Sequence, residues 1–289
     1  MSEGYVKRLL NPTDTLNVLR EMPIRAGDHL KTRLAATNRT THGVTQAYEH
    51  VPATDRVSYF DLRVDNNPSR HLAIHIETVQ TSATYKSGVF RKTWKSLYPC
   101  YYLPYRKFGT TRMKLSPPAG YTGDDIKFFA TATIDGCSVY VEGPATSPKV
   151  SHLNAANIAP PPVGAETDLA KQGRVAAKIA DMDTRMNVIK KGVATVVERP
   201  DYIEDFAPGK TAARQAFATA MNIPLAQVTD YQPFGAVVGV VNAGNWVFYL
   251  QKNGRYDYKL TPTGKTLSAF KVLSATEFWP SNVGGFRTF

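Results

Sequence analysis

Thr131-Ala132-Thr133-Ile134-Asp135-Gly136-Cys137-Ser138-Val139-Tyr140-Val141-Glu142-Gly143-Pro144-Ala145-Thr146-Ser147-Pro148-Lys149-Val150-Ser151-His152-Leu153-Asn154 is the most informative stretch of the chain. Asp135-Gly136 is a favoured two-residue hairpin turn, so strands are expected on either side of it, over residues 126–134 and 138–141. Cys137 then opens a strand, near a sheet edge rather than in mid-core. Residues 143–148 form a second turn, which folds the segment carrying His152 back beside the strand carrying Cys137.

Register decides what this hairpin can do. Side chains along a strand alternate between faces. If Glu142 opposes Lys149, then Val139 opposes His152. Cys137 shares the face of Val139, so it lies diagonal to His152 with backbones roughly 7–8 Å apart. A slip of one residue would put the thiol and the imidazole on opposite faces.

Outward from this hairpin, the chain alternates strand-like and helix-like zones. Val57–Val64 reads as a strand, and so do residues 71–79, where Leu72, Ile74 and Ile76 alternate with His71, Ala73, His75 and Glu77. Ala159-Pro160-Pro161-Pro162-Val163-Gly164 reads as a connection, at residues 159–164. A long helix is expected over residues 165–191, because Val175, Ile179, Met182, Met186 and Ile189 form a one-sided apolar stripe. Glu166 and Asp168 suit its first turn and Lys190 and Lys191 its last. A second helix is expected over residues 210–221. Strands follow at 234–241, 246–251 and 256–260, separated by the turn signals Asn242-Ala243-Gly244-Asn245 and Lys252-Asn253-Gly254-Arg255. A further strand fits residues 270–278.

Residues 1–52 are polar and rich in Thr and Asn, and are expected to form an irregular N-terminal arm. Only a short helix, begun at Asn11-Pro12-Thr13-Asp14 and ended by Pro23, interrupts it. Residues 53–289 are expected to form a single α+β catalytic domain, a mixed or mostly antiparallel sheet or sandwich flanked by helices.

Composition bounds the function. Of 289 residues, 43% are apolar and 20% charged, which is ordinary for a globular chain. No apolar run approaches the roughly 20 residues of a membrane helix. The first residues, Met1-Ser2-Glu3-Gly4-Tyr5-Val6-Lys7-Arg8, lack the apolar core of a conventional secretory signal. Cys100 and Cys137 are too few for a disulfide framework or a cysteine-only zinc site, and fit a reducing compartment, with a single Cys100–Cys137 bridge as the alternative. Lys and Arg total 35 against 24 Asp and Glu, a formal charge of +11, which favours an acidic partner.

Much of that excess lies between residues 78 and 123, where there is no Asp or Glu. The basic 86–114 zone holds Lys86, Arg91, Lys92, Lys95, Arg106, Lys107, Arg112 and Lys114. Aromatic residues, among them Trp94, Tyr101 and Tyr105, are interleaved with these cations. Cation plus aromatic suits single-stranded nucleic acid, an acidic protein surface or anionic lipid. It equally suits a sheet whose aromatics are core and whose charges are solvated. Weaker patterns fail: Gly209-Lys210-Thr211 and Gly264-Lys265-Thr266 lack the glycine a phosphate loop needs upstream, where Glu204 and Lys259 stand. His71, His75 and Glu77 read as solvent-facing neighbours rather than metal ligands. No metal and no cofactor are expected.

A Cys and a His on one face are a recognisable nucleophile and base. The imidazole takes the thiol proton, and the sulfur attacks an acyl or carboxamide carbon. Backbone N–H groups of the glycine turn before Cys137 could hold the oxyanion. A third group must orient the imidazole; Thr131, Thr133, Asp135, Ser151 and Asn154 are all near in sequence. An activated thiol would ionise below the ordinary value of about 8.5. The bland reading is a buried Cys beside a surface His.

The segment resembles the catalytic core of the Cys–His protein glutamine deamidases: the cytotoxic necrotizing factor catalytic domain, Burkholderia lethal factor and the bacterial chemoreceptor glutamine deamidase. In that family a Gly-Cys or Ser-Cys nucleophile opens a strand and a His follows on a neighbouring strand. Several members carry a Thr, six residues before the Cys, that helps orient the His. Gly136-Cys137, His152 and Thr131 match in type and order. Asp135 departs from the Ser that two of these proteins have before the Gly, and the match spans about 25 of the 289 residues. The resemblance implies Cys137 as nucleophile, His152 as general acid–base and Thr131 as the orienting group, converting Gln to Glu on a host or partner protein. An amine in place of water would make the same site a transglutaminase. It also implies a bacterial effector or toxin, delivered to a host cytoplasm without a classical signal, or else a cytoplasmic enzyme. The rival expectation is a non-enzymatic basic protein that binds nucleic acid or builds an assembly.

Overall fold

The structure, a computed structural model, describes residues 2–26, 34–53, 56–64, 72–77, 98–117, 120–121, 125–156, 167–203 and 207–289. The Pro-rich connection at 159–164 and the basic residues Lys86, Arg91, Lys92 and Lys95 lie outside them, as does His71.

Among the described residues the strands form two sheets. The larger takes β1 (Ile24–Ala26), β4 (Val57–Val64), β5 (Leu72–Glu77), β6 (Tyr98–Leu103), β8 (Phe128–Thr131), β12 (Val228–Asn242), β13 (Asn245–Tyr258) and β14 (Leu267–Trp279), in the order β1-β5-β4-β6-β8-β12-β13-β14. The smaller takes β2 (Ala35–Thr41), β3 (Val44–His50), β7 (Thr110–Lys114), β9 (Ser138–Glu142), β10 (Lys149–Leu153) and β11 (Ala194–Val197), in the order β11-β9-β10-β7-β3-β2. The pairs β1–β5, β6–β8 and β3–β7 are parallel and the others antiparallel. With helices α1 (Ser2–Leu9), α2 (Thr15–Glu21), α3 (Asp168–Ile189), α4 (Arg199–Tyr202) and α5 (Ala207–Met221), this is an α+β fold.

Alternation sorts the side chains into layers. Tyr101, Leu103, Phe129, Val237 and Phe248 of the larger sheet meet Met113, Cys137, Val139, Val141 and Val150 of the smaller one, forming the core between the sheets. The other face of the larger sheet, with Phe60, Phe128, Ala130 and Val238, is covered by Val6 and Leu9 of α1 and Val18 and Leu19 of α2. The other face of the smaller sheet, with Tyr140, Leu153 and Val196, is covered by Met182, Met186 and Ile189 of α3, the C-terminal part of the expected stripe. Phe217 of α5 stacks on Tyr256 at one end of the long strands, ring centroids 4.3 Å apart.

Three local expectations are corrected. The segment expected as an irregular arm carries α1, α2 and the β2–β3 hairpin, whose turn puts His42 and Gly43 at φ 49° and 77°. Helices this short owe their stability to packing, here on the larger sheet, which local propensity does not register. Lys252-Asn253-Gly254-Arg255 is not a turn but the interior of β13. Buried Asn253 donates to Gln251 Oε1 at 3.0 Å, and a Cβ at Gly254 would stand 2.7 Å from the Tyr231 ring, so the glycine serves close packing. Asn242-Ala243-Gly244-Asn245 is the true hairpin, with Ala243 and Gly244 both at positive φ. Finally, Asp135-Gly136 does not join paired strands. β8 lies in one sheet and β9 in the other, and the dipeptide is the corner where the chain crosses between them.

Candidate active site

The β9–β10 hairpin has the expected register: Glu142 opposes Lys149 and Val139 opposes His152. Cys137 therefore stands diagonal to His152 on one face, the face turned toward the larger sheet. Thr131, at the end of β8, shares the inward face of Phe129 across that interior. All three are buried; Cys137 is 1% exposed and His152 2%.

The corner before Cys137 is held from several sides. Gly136 has φ +90°, which favours glycine; a Cβ there would stand 3.0 Å from Arg199 Nη1, the end of a flexible side chain that can give way. The Gly136 N–H donates to the Tyr202 hydroxyl at 2.9 Å, and that hydroxyl donates to the Cys137 carbonyl at 2.7 Å. The Gly136 N–H expected for an oxyanion is thus already engaged. Arg199 lies 3.7 Å from Asp135.

Around the sulfur, Asn154 Nδ2 donates to Cys137 Sγ at 3.2 Å and to the Tyr105 hydroxyl at 3.3 Å. The Tyr105 ring lies 5.9 Å from the His152 ring, and Tyr105, 38% exposed, is the outward member of the cluster. Asn154 is itself anchored: its N–H donates to Gly109 O at 3.0 Å, and Arg185 of α3 donates to its carbonyl. Neither ring nitrogen of His152 has a hydrogen-bond partner among the described residues. Thr131 Oγ1 accepts from the Val237 N–H at 3.3 Å.

Burial dominates the electrostatics. It pushes the Cys137 thiol up to about 11, against hydrogen bonds from Asn154 and the Asp135 backbone and the charge of Lys178, which favour the thiolate. Burial lowers His152 to about 4. The resting pair is a neutral thiol and a neutral imidazole, not the low-pKa thiolate expected from an activated nucleophile. Cys100 is likewise a free, buried thiol raised by burial, so no bridge links the two cysteines.

Asn154 was legible as a neighbour in sequence. Tyr105, Lys178, Arg199 and Tyr202 come from other elements, and no local pattern ties them to Cys137. The described part of the basic zone is partly spent on internal pairs: Arg106 bridges Glu49 at 2.7 Å, and Arg112 is buried against Glu142. Among the described residues, no His, Cys, Asp and Glu cluster could hold a metal, and no helix is long and apolar enough to cross a membrane.

No protein-family model matches the chain, and no curated protein matches it. Among solved structures, the chain is similar to the C-terminal domain of CNFy from Yersinia pseudotuberculosis, at 9% identity and a TM-score of 0.33 over 96% of this chain and 99% of that chain. A likeness at that level supports no statement about function.

Proposed function

We propose that the chain is a thiol-dependent protein-glutamine deamidase, with Cys137 as nucleophile and His152 as general acid–base. The observation that supports it is the β9–β10 register, which puts the imidazole diagonal to the thiol on one face while Asn154 donates to Sγ.

The neutral resting pair dictates the order of events. No ion pair is stored, so the proton moves as the C–S bond forms. Cys137 Sγ attacks the carboxamide carbon of a substrate Gln while its proton passes to His152, and the amide oxygen becomes an oxyanion. His152 returns that proton to the nitrogen, ammonia leaves and a thioester remains. Water, deprotonated by His152, attacks the thioester; the acyl carbon is released as Glu and the sulfur regains its proton. The net change is carboxamide plus water to carboxylate plus ammonium. An amine in place of water would give an isopeptide instead. Asn154 stabilises negative charge on sulfur, and Tyr202 keeps the corner rigid. Thr131 is assigned to orienting His152, which requires a shift when substrate binds: Thr131 Oγ1 accepts from the Val237 N–H and makes no hydrogen bond to the ring. Both reacting groups are closed from solvent, so substrate entry requires a covering side chain to move, and Tyr105 is the exposed one.

The experiment is mass spectrometry of a eukaryotic lysate incubated with the wild type and with Cys137→Ala. A gain of about one dalton at a Gln, present with the wild type and absent with the variant, is the expected result of this acyl-enzyme route. Spectra that do not differ between the wild type and Cys137→Ala, in a eukaryotic and in a bacterial lysate, would refute the deamidase and turn attention to a binding role.

A further inference from the structure

A cleft of about 740 Å³ opens beside the Cys137 corner, between α3, α4 and the strands β12–β14. Val175 and Ile179 of α3, Ile203 after α4 and Leu273 of β14 line it, and Leu273 is 46% exposed. Tyr202 forms part of the same wall. Its hydroxyl is the one that bridges Gly136 and Cys137, so the cleft and the corner share a side chain.

Cations border this apolar space. Lys171 and Lys252 line it directly. Lys171, Arg174 and Lys178 follow one another along one side of α3, next to the row of Val175 and Ile179. Lys178 is lowered first by burial and then by the nearby charges of Arg174 and Arg199, so these cations stand close together at the Cys137 end. Among the described residues, Asp135 lies beside Arg199 and Asp201 near Lys252. An apolar trough with a cationic margin is complementary to an acidic chain that carries an apolar anchor.

We propose that this cleft docks the substrate protein through an acidic segment, one apolar side chain of which sits between α3 and β14. The assignment rests on the deamidase reading for its purpose but not for its test. The probe is a fluorescein-labelled peptide of about twelve residues, Asp, Glu and Gly around a single Phe, followed by anisotropy. It is expected to bind Cys137→Ala as tightly as the wild type and to weaken steeply with salt. Ala176→Glu, at an exposed position of α3 that lines the cleft, is expected to cost roughly tenfold in affinity. Replacing the peptide's Phe by Ser should cost a similar factor. Circular dichroism confirms that the variant is folded. No binding to the wild type, equal binding without the Phe, or wild-type binding by folded Ala176→Glu would each overturn the proposal. Peptide binding without any Cys137-dependent deamidation would sink the catalytic reading and leave the docking site standing. Deamidation that proceeds unchanged in Ala176→Glu would do the reverse.

Discussion

His152 is a buried imidazole whose ring nitrogens find no partner among the described residues, and its titration ties it to stability. Burial holds its folded value near 4, whereas an unfolded His titrates near 6.5. Between those values the unfolded chain binds the proton and the folded chain does not. Stability from this group is therefore complete above pH 6.5 and is lost as pH falls toward 4, by up to about 3 kcal/mol. His152→Leu should flatten that part of the profile. Urea midpoints at pH 7, 5.5 and 4.5 check it, and an equally steep fall in the variant would show that other groups carry the acid sensitivity. Cys137 behaves in the opposite sense: a thiol held near 11 is almost wholly protonated at neutral pH. Iodoacetamide should therefore modify it slowly in the absence of substrate. Asn154→Ala removes a donor to sulfur and should slow it further, read as an upward shift of the rate–pH curve in a Cys100→Ser background.

The C-terminus of α3 shows how the elements behind the hairpin are tied together. Its last carbonyls would be orphaned in the protein interior. Arg112 Nη1 donates to Ile189 O at 2.6 Å, Arg39 donates to the same oxygen at 2.5 Å, and Thr41 donates to Val188 O at 2.9 Å. Glu142, at the end of β9, completes the arrangement by accepting from Arg112 and from the Lys191 N–H at 2.8 Å. Glu142→Ala would strand a buried guanidinium, and the expected loss is about 3–5 kcal/mol. Chemical denaturation checks it. A loss under about 1 kcal/mol would mean that water reaches Arg112, as at an exposed pair.

The N-terminal segment is part of the core, not an appendage to it. Gln251, buried in β13, accepts from the Ile24 N–H at 2.9 Å and donates to Leu19 O and Met22 O at 2.6 and 2.8 Å. Val6, Leu9, Val18 and Leu19 cover one face of the larger sheet. Each such side chain is worth about 1.5–3 kcal/mol when buried, against a typical total stability of about 5–15 kcal/mol. Deleting residues 2–26 is expected to abolish cooperative folding and to produce aggregates. Sedimentation and near-UV circular dichroism of the truncated chain test this; a soluble, cooperatively melting product would contradict it.

Much of the hairpin and of α3 was legible from residues alone. Alternation along residues 138–153 limits the pairing to registers that bury Val139, Val141 and Val150 on one face, which is enough to put Cys137 and His152 on that face; the particular register, Glu142 opposite Lys149, is a supposition from sequence that the structure adopts. The stripe that ends at Ile189 likewise marks the buried side of α3. Other features depended on contacts remote in sequence. The Asp135-Gly136 corner has the composition of a hairpin turn and becomes a crossing between sheets because β8 pairs with β6 and β12 instead. Asn253-Gly254 has the composition of a turn and stays extended because Tyr231 and Tyr256 pack where a Cβ would be. The ionisation of Cys137 likewise depends on contacts remote in sequence. Residue types announce a nucleophile and a base, but the two sheets that close over them remove the water, and desolvation sets the charge state of both groups.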